Sequence, residues 1–131
     1  MGVEICDPYV FARNTAYPES SFPVKLNMGE EMIGAAQVKN TGNTVEFVVF
    51  GVSLRDPDGT DRQMNAESFH LDPGQQLGIY SGKEMFVIDK AGTWKIYANT
   101  TKPTAKNKTW NAVSVEFGYA ISNIKVTDYR R

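Results

Sequence analysis

The sequence is poor in the residues that carry enzyme chemistry: its 131 residues include one cysteine, Cys6, and one histidine, His70. A single cysteine excludes an intrachain disulfide, and a single histidine excludes a blue-copper site, which needs two. Zinc sites need three or four Cys, His or acidic ligands, and no stretch offers them at a suitable spacing. No Gly-x-Ser-x-Gly elbow accompanies His70 as the base of a hydrolase triad. We therefore expect a protein that is not an enzyme and needs no cofactor.

The sequence also lacks an excess of one charge and lacks long apolar runs. Lysine and arginine number 14 against 15 acidic residues, which gives a formal net charge of −1. A nucleic-acid binder concentrates cations on one face, whereas the cations here are scattered apart from the loop at 102–108 and the last two residues. No run reaches the length of a membrane span, and the first residues lack the basic start and apolar core of a signal peptide. We expect no nucleic-acid binding and no membrane insertion by this chain.

Helical periodicity is missing as well. No window holds apolar residues at a period of 3.6 better than at a period of two, and clusters of Gly, Pro, Asn and Asp recur at short intervals, as in an all-β domain. These turn signals lie at 27–29, 40–43, 56–59, 72–74, 80–83 and 89–92. The pattern predicts one domain over 1–131, an immunoglobulin-like antiparallel β-sandwich of seven or eight strands in two sheets, with an irregular N-terminal segment at about 1–25.

Alternation within the predicted strands indicates which residues face the core. We expect Trp94, Ile96 and Ala98 to face inward from one strand, because Lys95, Tyr97 and Asn99 alternate with them. Two further inward rows are predicted, one early in the chain and one in the last strand. They are Met32, Gly34, Ala36 and Val38, and Val113, Val115, Phe117, Tyr119 and Ile121.

Several short motifs resemble the bacterial and archaeal adhesion-type immunoglobulin-like domains, the CARDB-like family. They are Val38-Lys39-Asn40-Thr41-Gly42, the strand and turn at 47–59, Leu71-Asp72-Pro73-Gly74-Gln75, and the stretch from Ala91 to Ala98. The resemblance implies a non-catalytic, extracytoplasmic or cell-surface module if the chain is part of a longer protein. The same motifs occur in virion and surface-filament stator domains, which stay open as an alternative.

One detail of immunoglobulin-like domains can be carried over by position. Asp89, Gly92, Trp94 and Ile96 stand at the spacing where these domains have Asp, a small residue, a corner tyrosine and a core residue. By this resemblance, Trp94 replaces the corner tyrosine and fills the core.

The string Asp56-Pro57-Asp58-Gly59-Thr60-Asp61 is the one that looks most like a metal site. The carboxylates of Asp56, Asp58 and Asp61 can supply hard oxygen ligands for calcium. The same string is also a standard hairpin turn, and the glutamate and helices of an EF-hand are absent. We expect the turn and keep calcium as the alternative.

The segment from 45 to 54 carries apolar residues at both parities, which is more than a two-sheet sandwich needs. We predict an interface on the face formed by Val48, Phe50, Val52 and Leu54, either between two copies or with a neighbouring domain. The alternative is a β-bulge near Gly51, or cover from the segment at 17–23, which would leave no free apolar face.

These observations favour a structural or adhesive module that binds another protein. The alternative from a different class is a carbohydrate-binding module, in which exposed aromatic rings stack on sugars. The candidate aromatics for that role are Tyr9, Tyr17, Tyr97, Trp110 and Tyr129.

Overall fold

The computed structural model describes residues 2–116 and confirms the predicted all-β fold class. Two sheets pack face to face, and within the described residues no helix is long and apolar enough to cross a membrane. Ten strands are formed, more than the seven or eight expected, because three of them span only two to four residues. The strands are β1 Val3–Ala12, β2 Thr15–Pro18, β3 Val24–Leu26, β4 Glu31–Asn40, β5 Glu46–Arg55, β6 Asp61–Leu71, β7 Gln76–Tyr80, β8 Phe86–Val87, β9 Gly92–Thr100 and β10 Lys108–Val115.

The order of the strands is that of an immunoglobulin-like sandwich. The first sheet runs β2-β1-β4-β7, with β8 also paired to β4, and the second runs β3-β10-β9-β5-β6. All pairs are antiparallel except β3 with β10. β4 precedes the hairpin of β5 and β6, and β7 follows it. As in immunoglobulin domains, β4 and β7 lie in one sheet and face β5, β9 and β10 in the other.

The predicted irregular segment at about 1–25 is wrong. β1 pairs with β4 over nearly its whole length, with one register shift between Cys6 and Tyr9. β2 folds back on β1 through Arg13 and Asn14, which both adopt positive φ. After a short 3₁₀ turn at Glu19–Ser21, the chain crosses to the second sheet as β3. The prolines in this region obscured the alternation in the sequence, but they lie at strand ends and at the bulge, where proline is tolerated.

The predicted interface of Val48, Phe50, Val52 and Leu54 is also wrong, since all four side chains are at most 1% exposed in the core between the sheets. The register of β5 with β6 is unbroken from Glu46 to Leu54, so no bulge at Gly51 changes the parity. The opposite parity faces outward, and its apolar members Val45 and Phe47 are 56% and 49% exposed. The apolar excess is therefore real, but the exposed face is the other one.

The other predicted inward rows are confirmed as far as the structure describes them. Trp94, Ile96 and Ala98 are fully buried, as are Met32, Ala36 and Val38. Gly34 belongs to the second row because a Cβ there would lie 3.0 Å from Cγ1 of Ile96 on the facing sheet. Val113 and Val115 are buried, and the remaining members of the last predicted row, from Phe117 onward, lie outside the described residues.

The parity of β5 predicts opposite outcomes for two phenylalanines three residues apart. Phe50→Ala should destabilise the fold by about 3–5 kcal/mol, because it empties a fully buried ring position. Phe47→Ala should cost less than about 1 kcal/mol, since that ring is half exposed. Urea unfolding of both variants measures the difference, and equal losses would contradict the register.

Candidate binding groove

The entry to β9 is fixed by Trp94. Its indole is fully buried, and its Nε1–H donates a hydrogen bond to the carbonyl of Lys90 at 3.0 Å. Gly92 adopts a φ of +123° and its Cα lies so close to Pro57 that a Cβ would be 2.7 Å from that ring. The corner role carried over to Trp94 is therefore confirmed, with an indole N–H in place of a phenol.

The calcium alternative for the β5–β6 turn does not fit the structure, because each carboxylate is paired with a cation of the chain. The side chain of Asp56 is nearly inaccessible and lies 3.3 Å from Arg62 and 3.5 Å from Lys90. Asp58 pairs with Lys90, and Asp61 pairs with Arg55 at 2.6 Å. Within residues 2–116 no group of three or more His, Cys, Asp or Glu side chains is placed to hold a metal ion.

Asp56 instead organises the predicted hairpin turn. Its Oδ1 accepts hydrogen bonds from the backbone N–H groups of Asp58 at 2.9 Å and Thr60 at 3.0 Å. Burial disfavours the charged form, but these two N–H groups together with Lys90 and Arg62 outweigh it and lower the pKa of Asp56. The carboxylate thus holds the β5–β6 turn against the segment that leads into β9.

A row of depressions crosses the outer face of the first sheet. Four depressions of about 390, 240, 210 and 310 Å³ lie side by side on this face. Each shares lining residues with the next: Phe11 and Met85, then Tyr80, then Tyr9 and Gln37. We call this row of four adjacent depressions the groove; the contact between the rings of Tyr9 and Tyr80 separates two of them.

The strand register explains the walls and the floor of the groove. Tyr9 on β1, Ala35 on β4 and Tyr80 on β7 lie opposite one another in a row, so that a small residue stands between two phenols. The two tyrosine rings meet edge to face, with centroids 6.0 Å apart. Phe11 and Ile33 form the next row. Ala35 and Ile33 point outward but are only 2% and 6% exposed, because the larger side chains around them form walls.

One end of the groove is lined by amides and a carboxylate. The side-chain N–H of Gln76 donates to Asp7 at 2.7 Å and to Gln37 at 2.9 Å, so these three groups are held in fixed positions. Beside them, burial and then the hydrogen bond with Tyr80 raise the pKa of Tyr9 to about 12. The phenol of Tyr9 thus stays neutral across the physiological range.

The other end is closed by an ion pair. Arg13, in the β1–β2 turn, makes two hydrogen bonds to Glu30 at 2.7 and 2.8 Å. Glu30 also accepts hydrogen bonds from the backbone and side chain of Asn27. The hydrogen bond from Arg13 is the main cause that lowers the pKa of Glu30 to about 2.

On the outer face of the second sheet, the aromatic rings of Tyr97 and Phe47 are already in contact with other side chains. The guanidinium of Arg55 lies 3.9 Å from the centroid of the Tyr97 ring, and Asn107 donates to the Tyr97 hydroxyl at 2.9 Å. The rings of Phe47 and His70 are in contact, with centroids 5.1 Å apart. Tyr97 therefore has a charged group over one face of its ring.

The aromatics predicted for sugar stacking do not come together in one place. Tyr97 is covered by Arg55, and Tyr17 and Trp110 are half-buried against the core. Tyr129 lies outside the described residues. Of these candidates, only Tyr9 lines the groove. Tyr80 and Phe11 also line it, and the sequence had not indicated either. The signal in the sequence that could have indicated them is that β1 has apolar residues on both faces. Val10 and Ala12 point inward, and Tyr9 and Phe11 point outward.

No family model and no curated protein matches the chain. Solved structures that are similar include an alkylpurine DNA glycosylase, AlkC, from Pseudomonas fluorescens bound to DNA with an abasic-site analogue, at 13% identity and a TM-score of 0.49. A β-glucosidase from Listeria innocua is similar at 17% identity and a TM-score of 0.48. The matches cover 87% and 86% of this chain but only 30% and 16% of those two chains. Likeness at this level carries no argument about function, and the resemblance to CARDB-like domains stays a prediction.

The ion pair at the end of the groove predicts a pH dependence of stability. Since the pKa of Glu30 is lowered from 4.5 to about 2, its contribution is present above about pH 4.5 and is lost as the pH falls towards 2. Glu30→Gln should therefore show a smaller fall in melting temperature than the wild type over this range. Glu31→Gln, which removes an exposed neighbouring carboxylate, is the control and should follow the wild type. A parallel fall in all three proteins would contradict the role of the pair.

Proposed function

We propose that the protein is a non-catalytic, structural or adhesive module that binds a protein partner, and that it takes an extended segment of that partner along the groove of the first sheet. The observation that carries the proposal is the alignment of four adjacent depressions across β1, β4 and β7. The site predicted from the sequence was on β5, and the proposal moves it to the opposite sheet.

The shape of the groove favours a linear ligand over a compact one. Two of the depressions lie within the lower part of the range of volumes, about 300–1,000 Å³, that enclose a small molecule, and the other two lie below it. A ligand that fills several of them must be long and narrow. The apolar middle, with Phe11, Ile33, Tyr80 and Met85, offers contact for alternate side chains of an extended peptide. Asp7 and Gln37, which line one end of the groove, offer polar contacts to its backbone.

The charge of the lining favours a partner segment with basic residues at its ends. Four acidic residues border the groove, and of the two bordering cations Arg13 is already paired with Glu30. The excess is therefore negative and lies at both ends. The four acids and the other cation are Asp7, Glu19, Glu30, Glu31 and Lys83.

The setting of the module follows the resemblance noted in the sequence. A CARDB-like or stator-like domain would work outside the cytoplasm, at a cell or particle surface, joined to other domains or subunits. This part of the proposal rests on the short motifs alone.

A carbohydrate partner is the second candidate, and one observation favours it. Tyr9 and Tyr80 flank Ala35, and the fixed side chains of Asp7, Gln37 and Gln76 lie beside them. Aromatic surface next to carboxylate and amide groups suits a sugar as well as a peptide. The two phenols meet edge to face, however, which leaves less flat ring surface than sugar stacking requires.

The proposal is tested by selecting peptides from a random library on the immobilised protein and titrating them against two variants. Tyr80→Arg changes a residue of the groove that is 46% exposed, and Phe47→Arg changes one of similar exposure on the other sheet. We expect Tyr80→Arg to weaken binding at least tenfold, about 1.4 kcal/mol, while Phe47→Arg leaves it unchanged. Selected sequences should carry Lys or Arg at their ends and bind more weakly at high salt.

A glycan array screened with the same three proteins separates the two candidates. Glycans that bind the wild type and Phe47→Arg but not Tyr80→Arg, with no peptide doing so, would replace the peptide by a sugar. Loss of binding in Phe47→Arg alone would place the site on the second sheet and overturn the proposal.

A further inference from the structure

The proposed function does not involve β6, which forms one edge of the second sheet. β6 spans 11 residues, whereas the edge strands β2, β3 and β7 span four, three and five. Monomeric proteins keep edge strands short, or protect them with lysine, proline or a bulge, because a row of unpaired N–H and C=O groups recruits another strand. An edge of this length is therefore unusual within the molecule.

Half of the edge is covered by the chain itself. The side-chain N–H of Gln63 donates to the carbonyl of Glu84 at 2.7 Å, and that of Asn65 donates to the carbonyl of Tyr80 at 2.9 Å. From Ala66 to His70, the backbone pairs with β5 and forms no other hydrogen bond with the described part of the chain. This second half is the free segment, and its midpoint is Ser68.

The direction of the backbone in the free segment can be deduced from β5. The N–H of Thr101 donates to the carbonyl of Val49 at 3.2 Å, so Val49 turns its backbone groups towards β9. Ser68 lies opposite Val49 and therefore receives no bond from it. Since backbone directions alternate along a strand, Ser68 turns its N–H and C=O to the free edge, as do Ala66 and His70.

The free segment carries only one of the usual protections, the charge of Glu67, which lies opposite the buried Phe50 and so on the core-facing side of β6. It has no lysine and no proline, its one formal charge is Glu67, and its register with β5 is unbroken. Exposed apolar side chains lie near it on the same hairpin: Val45, Phe47 and Met64 are 56%, 49% and 70% exposed. Burial of such surface would add to the hydrogen bonds of a strand pairing here.

We propose that a second copy of this chain pairs with the free segment, antiparallel and about a twofold axis at Ser68. All five residues of the free segment then take part, with Glu67 opposite Phe69 and Ala66 opposite His70. A centre one residue earlier would place Glu67 opposite Glu67, which like charges disfavour. The same surface is used by both copies, as a twofold interface requires, and the two five-stranded sheets become one sheet of ten strands.

This pairing is independent of the proposed function. The groove lies on the outer face of the first sheet and stays open in both copies. Two grooves in one dimer would bind a repetitive partner more tightly than one groove alone.

Sedimentation equilibrium with a pair of charge variants tests the proposal. The wild type should show twice the mass of the chain at high micromolar concentration. Ser68→Lys and Ser68→Glu should each sediment as one chain, because the twofold axis would place like charges opposite each other. An equimolar mixture of the two variants should restore the doubled mass, since the opposed charges then attract.

Asn111→Lys is the matched control, because it adds a charge at an exposed position of β10, which β9 and β5 separate from β6. It should dimerise like the wild type, and circular dichroism of all variants should show the same β-sheet signal. A wild type that stays at the mass of one chain, a Ser68→Lys variant that still dimerises, or a mixture that does not pair would each overturn the proposal.

Discussion

The buried indole of Trp94 is the contact on which the rest of the sandwich depends. It is the largest fully buried side chain of the core, and its hydrogen bond to the Lys90 carbonyl fixes the turn into β9. Next to it, Arg62 bridges Asp56 and Asp89 and lies within 6 Å of the indole. Removal of the indole would thus leave a cavity between the sheets and release the turn that these ion pairs hold.

This arrangement leaves the two outer faces free to differ. The core and the ion pairs at one end of the sandwich hold the sheets together. On the outer face of the second sheet, the guanidinium of Arg55 covers the ring of Tyr97. The face of the first sheet has a small residue, Ala35, between tall neighbours, and this difference in side-chain size produces the groove.

The fold could be predicted from the sequence because its strongest signals are local. Alternation around Trp94 and turn chemistry such as Asp56 to Gly59 depend on near neighbours, and both were read correctly. The sequence did not predict which face of β5 points inward, because both faces are apolar. Which face it is depends on the strands with which β5 pairs, and the sequence does not show those. The partners of Asp56 could not be foreseen either, since Lys90 and Arg62 meet it only through the tertiary fold.

The groove was beyond prediction for the same reason. Tyr9, Ala35 and Tyr80 are far apart in the chain, and only the register of three strands aligns them. Along β1, Pro8 and the bulge beside it interrupt the alternation of inward and outward residues. A sequence shows that a strand has two apolar faces, but the pairing of strands decides which outward side chains become neighbours.

The proposed binding site lies on the outer face of the first sheet. Amide shift mapping by NMR, with the wild type and a peptide selected on it, tests this most directly. We expect the shifted amides to cluster at Tyr9, Ala35, Gly78 and Tyr80. Shifts confined to β5, β6 and β9, around Phe47 and Tyr97, would contradict it.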